Sequence, residues 1–331
     1  MSTPSQVAPV TLAAIQRPVR AELDAAFAEL GRIVRSDFPL IEAVNAHLLR
    51  IKGKMFRPTL LLLSAKAVER MGPSKTALAA AVELIHVATL VHDDSVDHSV
   101  LRRGQPTVNA RFSHQIAVIM GDYLYSRAII ELVNQPDPEA LRVMSRVTND
   151  MTVGEMRELE AYDALDYSMD AYTALIRAKT ASLMSGACEV GAVGAPPAQR
   201  VALRDYGTHL GMAFQITDDV LDYTETERVT GKPSGLDLKE HKITLPLIAG
   251  LPHMSAAERQ RVSAVMADPE PTDETVADVI GIVHARGGVS AARAQAAAYA
   301  ERAAAALAVV SEGEARDALG DCITYAVERR S

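Results

Sequence analysis

The chain has 331 residues, 48% of them hydrophobic, with abundant Ala, no Trp and 4% aromatics; that suits a large helical core and argues against a β-sandwich. A net charge of −8 excludes an extended nucleic-acid surface, but leaves room for a small anion held by a local group of Lys and Arg. Two cysteines, Cys188 and Cys322, are too few and too far apart for a disulfide framework or a thiolate metal site, and fit a reducing compartment.

The N-terminal stretch MSTPSQVAPVTLAAIQRPVRAELD has no basic start followed by an apolar core and cleavage site, so no secretory signal is expected. Residues 1–12 read as a loosely held tail, with a single domain over 13–331. Residues 75–92 join strong helix formers to apolar positions around most of the circumference, as in the middle of a bundle. Similar helical runs follow at 116–133, 139–160, 170–191, 199–223 and 289–310. Breakers separate them at Gly72-Pro73, Asn134–Pro138, Gly194–Pro197, Asp268–Pro271 and Gly287-Gly288. No strand alternation is evident, so the expected class is all-α. No run reaches about 18 apolar residues, and ITLPLIAGL is short and holds a Pro; a soluble, cytoplasmic protein without stable membrane insertion is expected. Residues 224–242 are polar and glycine-bearing, a loop of the kind that serves as a lid or binding loop.

Two carboxylate clusters stand out: Asp93, Asp94 and Asp97 in TLVHDDSVDHS, and Asp218, Asp219 and Asp222 in FQITDDVLDYT. Each has the spacing i, i+1, i+4 and follows an apolar helical run, so its first and last members share a helix face. One such cluster alone is a solvated helix end. Two facing one another would cage hard divalent cations, and Mg²⁺ in particular bridges a few carboxylates to substrate phosphates. Neither has the spacing of an EF-hand loop.

Cations for a diphosphate lie nearby in sequence. Arg102 and Arg103 follow the first cluster, and Arg offers bidentate phosphate contacts. Lys54 and Arg57 precede the long apolar helix, while Lys232, Lys239 and Lys242 decorate the polar loop. Lys179 is a lone charge among Ala, Thr, Ser and Leu and needs a partner. His86 sits two turns ahead of Asp93 on the same helix.

Together these residues resemble the trans-prenyl diphosphate synthase, or polyprenyl synthetase, family, from Gly53 to about Leu247. The resemblance rests on Gly53-Lys54-x-x-Arg57-Pro58, LVHDDSVDHSVLRRGQPTV, GDYLYSRA at 121–128, Lys179-Thr180, Phe214-Gln215 through Tyr223, and GKPSGLDLKEHKITLPL. It implies an isoprenoid synthase fold, helices around a deep central cavity, in a homodimer. It also implies isopentenyl diphosphate and an allylic prenyl diphosphate as substrates, with three Mg²⁺ per active site. Carried over by position, Asp93, Asp97 and Asp218 look like direct Mg²⁺ ligands, with Asp94, Asp219 and Asp222 completing the acidic shells. Arg102, Lys179 and Lys232 would hold the allylic diphosphate, with Lys242 near its mouth. Lys54, Arg57, His86 and Arg103 would hold isopentenyl diphosphate. Thr180 and Gln215, with Lys179, would border the allylic carbon where positive charge develops. Ionised allylic substrate would be attacked by the isopentenyl double bond, and the departing diphosphate would take the proton.

Three departures from the family pattern are visible: Lys52-Gly53-Lys54-Met55 where Gly-Gly-Lys-Arg is common, Thr217 before the second cluster, and His241 where Gly commonly precedes the loop lysine. None removes an expected ligand. The small residues Ala88 and Thr89, one turn before Asp93, imply an open path below the carboxylates and a long product near octaprenyl length, with a floor at Met120, Tyr123 or Leu124. The alternatives are a short-chain farnesyl or geranylgeranyl synthase, a class I terpene cyclase, and a non-catalytic synthase subunit.

Overall fold

The computed structural model describes residues 10–51, 53–159, 165–224 and 235–328. Helices dominate: α1 (Leu12–Gln16), α2 (Arg20–Ile33), α3 (Pro39–Leu48), α4 (Phe56–Ala67), α5 (Pro73–Val96), α6 (Val108–Arg111), α7 (His114–Val133), α8 (Glu139–Glu158), α9 (Met169–Ile176), α10 (Ser182–Gly191) and α11 (Pro197–Thr224). After the polar segment come α12 (Leu236–Lys239), α13 (Leu245–Gly250), α14 (Ala256–Ala267), α15 (Asp273–Ala285), α16 (Gly288–Ala306) and α17 (Glu314–Glu328).

The centre is apolar on every side. Leu60, Leu61, Leu62 and Leu63 of α4 are all fully buried, which a helix achieves only when enclosed all round. The main core joins α2, α4, α5, α7, α8 and α10, and a second cluster gathers α9, the end of α11, and α13 to α16. α5 lies along α7, and α11 runs between α10 and α16. α5 starts with Pro73 at its first turn, where no N–H bond is needed, and ends on Asp93, Asp94 and Asp97. Carboxylates at that end oppose the helix dipole. α11 ends the same way, on Asp218, Asp219 and Asp222. Local stability does not ask for these residues there, so the two helix ends are where function shows.

Four expectations change. Thr11 caps α1 through its side chain and Leu12 is helical, so the loose tail does not extend to residue 12; residues 1–9 lie outside those described. The run 170–191 is not one regular helix: Arg177–Ala181 forms a π-turn between α9 and α10. Gly211 of α11 crosses that turn so closely that a Cβ there would sit 2.5 Å from the Ala181 Cα. A small hairpin exists, β1 (Leu101–Arg102) against β2 (Gln105–Pro106), closed by Arg103 and Gly104 at φ 51° and 72°, the two-residue turn with both central residues left-handed. Finally, α5 is long and apolar enough to cross a membrane by length and composition, but 61% of its most apolar 18-residue stretch is buried inside the protein, as befits a core helix.

Candidate active site

A cavity of about 770 Å³ opens between the ends of α5, α8 and α11, the π-turn, and the α12–α13 connection. Asp97, Glu155, Glu158, Lys179, Thr180, Gln215, Asp219, Asp237 and Lys242 all line it. Two carboxylate motifs more than a hundred residues apart thus reach one surface.

In the first motif the three carboxylates have different partners. Asp94 is buried and pairs with Arg102, whose Nε donates to both carboxylate oxygens at 2.8 and 3.0 Å and whose Nη2 lies 2.8 Å from Oδ1. Asp93 is pushed up to about 7 by burial and by Glu155 and Asp97, against the pull of Lys179 and Arg102. Asp97 caps α5, its N–H bonded to the Asp93 carbonyl at 2.8 Å, and stands exposed at the cavity. Lys179 has the partners its apolar sequence demanded: Nζ donates to Glu155 Oε2 at 3.0 Å and to Glu158 Oε2. Burial alone would lower its pKa, but Glu158 and Glu155 outweigh that and keep the ammonium charged.

The second motif is held by a chain of side chains. Thr180 Oγ1 donates to Gln215 Oε1 at 2.9 Å, Gln215 Nε2 donates to Asp219 Oδ1 at 2.9 Å, and Tyr172 donates to Asp219 Oδ2 at 2.5 Å. Asp222 turns elsewhere: its two oxygens accept the backbone N–H groups of Leu236 and Asp237, each at 3.0 Å, so it caps α12. That ties the segment after the polar loop to the motif. Burial, then Asp219 and Asp222, hold the Asp237 carboxyl well above its usual range. Lys242 pairs with Glu240 at 2.8 Å at the cavity wall. His241 takes φ 57°, so the left-handed conformation that a glycine would supply is adopted here by a histidine, its Nε2 bonded to the Asp268 carbonyl at 2.8 Å. Thr217 is buried and returns its hydroxyl to the Ala213 carbonyl at 2.8 Å. Lys232 and Lys52 lie outside the described residues.

Beside this cavity a smaller one of about 60 Å³ is lined by Glu83, His86, Asp94, Arg102 and Arg103. Arg57 donates from Nη1 to His86 Nε2 at 3.0 Å; a guanidinium only donates, so the imidazole proton sits on Nδ1. Burial, then Arg57, Arg103 and Arg102, holds His86 neutral, well below its ordinary pKa. Burial lowers Arg57 to about 10 against the pull of Glu83, and Arg57 Nε is buried with no partner among the described residues. Gly53 edges the same pocket: a Cβ there would stand 3.1 Å from Glu83 Oε1 and 3.4 Å from Arg103 Nη1. Lys54 is exposed at the start of this turn.

Sequence reasoning missed Glu83, Glu155, Glu158, Tyr172 and Asp237. Glu83 carried a signal, a carboxylate in an apolar helix one turn before His86. Ala88 is buried in the main core, and Thr89 is half-buried with its hydroxyl on the His86 carbonyl at 2.9 Å. Among the described residues no three carboxylate, His or Cys side chains stand close enough to hold a metal ion by themselves. The donor set nonetheless fits hard cations: it is all oxygen, it comes from α5, α8 and α11, and Asp93 and Asp219 are raised first by burial and then by neighbouring carboxylates.

Residues 38–283 match the family model described as polyprenyl synthetase. The chain belongs to that family. It is 35% identical over 310 residues to the heptaprenyl diphosphate synthase component 2 of Geobacillus stearothermophilus, covering 93% of this chain and 96% of the relative. It is 34% identical over 298 residues to the octaprenyl diphosphate synthase of Escherichia coli K12, covering 89% and 92%. A polyprenyl synthase of Caulobacter crescentus, solved with calcium and isoprenyl diphosphate, superposes with a TM-score of 0.92 at 34% identity, covering 98% and 100%. The fold is therefore the all-α isoprenoid synthase fold, and the protein is a prenyltransferase that elongates a prenyl chain.

Proposed function

We propose that this polyprenyl synthetase condenses isopentenyl diphosphate with an allylic diphosphate, in a Mg²⁺-dependent reaction, to a long product near octaprenyl length. The observation that carries the reading is the cavity walled by Asp97, Lys179 and Asp219, with a second pocket lined by Arg102, Arg103 and His86, the last bonded to Arg57. Two diphosphates then bind as neighbours, one against each set of charges.

Arg102, Lys179 and Lys242, with Lys232, hold the allylic diphosphate; Lys54, Arg57, His86 and Arg103 hold isopentenyl diphosphate. Asp93, Asp97, Asp218 and Asp219 hold the magnesium, and Asp94 and Asp222 steady this shell through Arg102 and α12. Bound Mg²⁺ supplies Lewis-acid stabilisation of the leaving diphosphate. The cations of this chain add fixed positive charge at the same oxygens, where charge accumulates as the C–O bond ionises. Thr180 and Gln215 present oxygen atoms to the allylic carbon from the opposite wall. No side chain is needed as the base, because the departing diphosphate lies beside the proton to be lost.

The small side chains of Ala88 and Thr89 support a long product, as do relatives named for heptaprenyl and octaprenyl synthesis. A homodimer is supported by α7, whose Val118, Ile119, Ile130 and Val133 stand 48 to 63% exposed. A second reading comes from the Geobacillus relative, which is named as one component of a synthase: this chain would then work with a partner subunit. The test is to incubate the purified chain with Mg²⁺, farnesyl diphosphate and labelled isopentenyl diphosphate, then measure product length and particle mass. Products of roughly C40 from a dimer are expected. Labelled product that stops at C20 would sink the long-chain reading, and no incorporation would favour the partner subunit.

A further inference from the structure

Lys54 and Arg57, whose guanidinium bonds His86 at the pocket wall, flank a turn that does not support itself. Met55, just before α4, has φ 51° and ψ 35°, the left-handed region that a residue with a Cβ enters only against strain. Two side chains hold it there. Gln16, the last residue of α1, donates from Nε2 to the Lys54 carbonyl at 2.9 Å and to Thr59 Oγ1 at 3.1 Å. Thr59 passes its own proton to the Met55 carbonyl at 2.7 Å. Both hydrogens of one amide nitrogen are thereby spent on the turn, one directly and one through a relay. Gln16 and Thr59 are 7% and 0% exposed, so water does not compete for these bonds.

Gln16 is not needed to dock its own helix. α1 already lies against α17, with Ile15 fully buried. The residue also stands outside the stretch that matches the family model, which starts at residue 38. We infer that Gln16 is a positioning residue for the isopentenyl diphosphate subsite: by fixing the Lys54 and Met55 carbonyls it aims the Lys54 ammonium and the Arg57 guanidinium at that diphosphate. The inference rests on the prenyl-transfer reading. Gln16 itself touches no substrate and exchanges no proton.

Gln16→Met keeps length and burial but removes both donors. The expected result is a KM for isopentenyl diphosphate raised roughly tenfold, with the allylic KM within about twofold of wild type. A purely structural role would move both constants together, in step with a fall in Tm. That outcome, or an unchanged isopentenyl KM in a folded variant, overturns the inference. Should Gln16→Met fail to fold, Thr59→Val breaks the relay from the other side, and the same split between the two constants must appear. Calorimetric titration of isopentenyl diphosphate separates the two readings. An active wild type with an unshifted Gln16→Met affinity sinks this inference alone, whereas a wild type that neither binds nor incorporates isopentenyl diphosphate sinks both.

Discussion

Tyr172 donates its hydroxyl to Asp219 across 2.5 Å, and both residues are buried. The bond opposes the burial that pushes Asp219 upward, and with Gln215 it fixes both carboxylate oxygens toward known donors. Tyr172→Phe leaves the packing in place and removes only that bond. A hydrogen bond to a charged group contributes about 1.5–3 kcal/mol, so turnover should fall roughly tenfold or more while the fold persists. The Mg²⁺ concentration for half-maximal activity should rise at the same time. Unaltered Mg²⁺ dependence would show that Asp219 does not depend on the phenol.

Gly121 of α7 faces His92 of α5, and a Cβ on it would fall 2.1 Å from the imidazole Nε2. The ring threads between the helices to reach the Val118 carbonyl at 3.1 Å and lies 3.4 Å from Asp122. Gly121→Ala must expel the ring or part α5 from α7, which overpacking data put at about 1–3 kcal/mol. Because His92 adjoins Asp93, activity should fall further than stability alone explains. Gly121→Ala paired with His92→Ala relieves the clash, and recovery of Tm in the double variant is the check.

Residues that meet at this cavity were legible wherever they contradicted local stability. Six aspartates at two helix ends, and Lys179 among small apolar residues, are choices that a helix would not make for itself. What stayed hidden were partners that only the fold brings together. Lys179 needed a counter-charge, but nothing local marks Glu155 and Glu158 as its source, since the pairing runs from the π-turn to α8. The π-turn was invisible too, because one extra residue per turn barely disturbs a helical pattern over 170–191. Asp222 looks like its two neighbours in sequence, and only the return of the chain at Leu236 makes it a helix cap. The same limit applied to α5, where burial rather than composition separates a core helix from a membrane span.

Glu83 is buried at 5% exposure beside Arg57 and Arg103, and its charge opposes the lowering of Arg57 by burial. Glu83→Gln keeps the shape and removes that support, so Arg57 should lose its proton at a lower pH than about 10. The guanidinium binds a diphosphate only while charged, so the loss appears as pH rises. The wild-type KM for isopentenyl diphosphate should hold flat until pH approaches about 10, and that of Glu83→Gln should begin to climb at a lower pH. Identical profiles for the two proteins would remove Glu83 from the pocket's electrostatics.

Lys75 offers a test of stability far from the chemistry. It is buried on α5, with Nζ donating to the carbonyls of Val190 at 2.9 Å and Val193 at 3.3 Å. Burial lowers its pKa from 10.5 to about 8, against the pull of Asp137. Below pH 8 the lysine is protonated in both folded and unfolded chains, and the burial cost is fully present. Between pH 8 and 10.5 the unfolded chain binds the extra proton, so this residue makes folding more favourable as pH rises. Urea unfolding of wild type and Lys75→Met at pH 7 and pH 10 isolates the effect, because other titrating groups cancel in the difference. Wild type should gain about 2 kcal/mol on Lys75→Met between the two conditions. A difference that does not change with pH would mean that the carbonyls of Val190 and Val193 solvate the ammonium as well as water does.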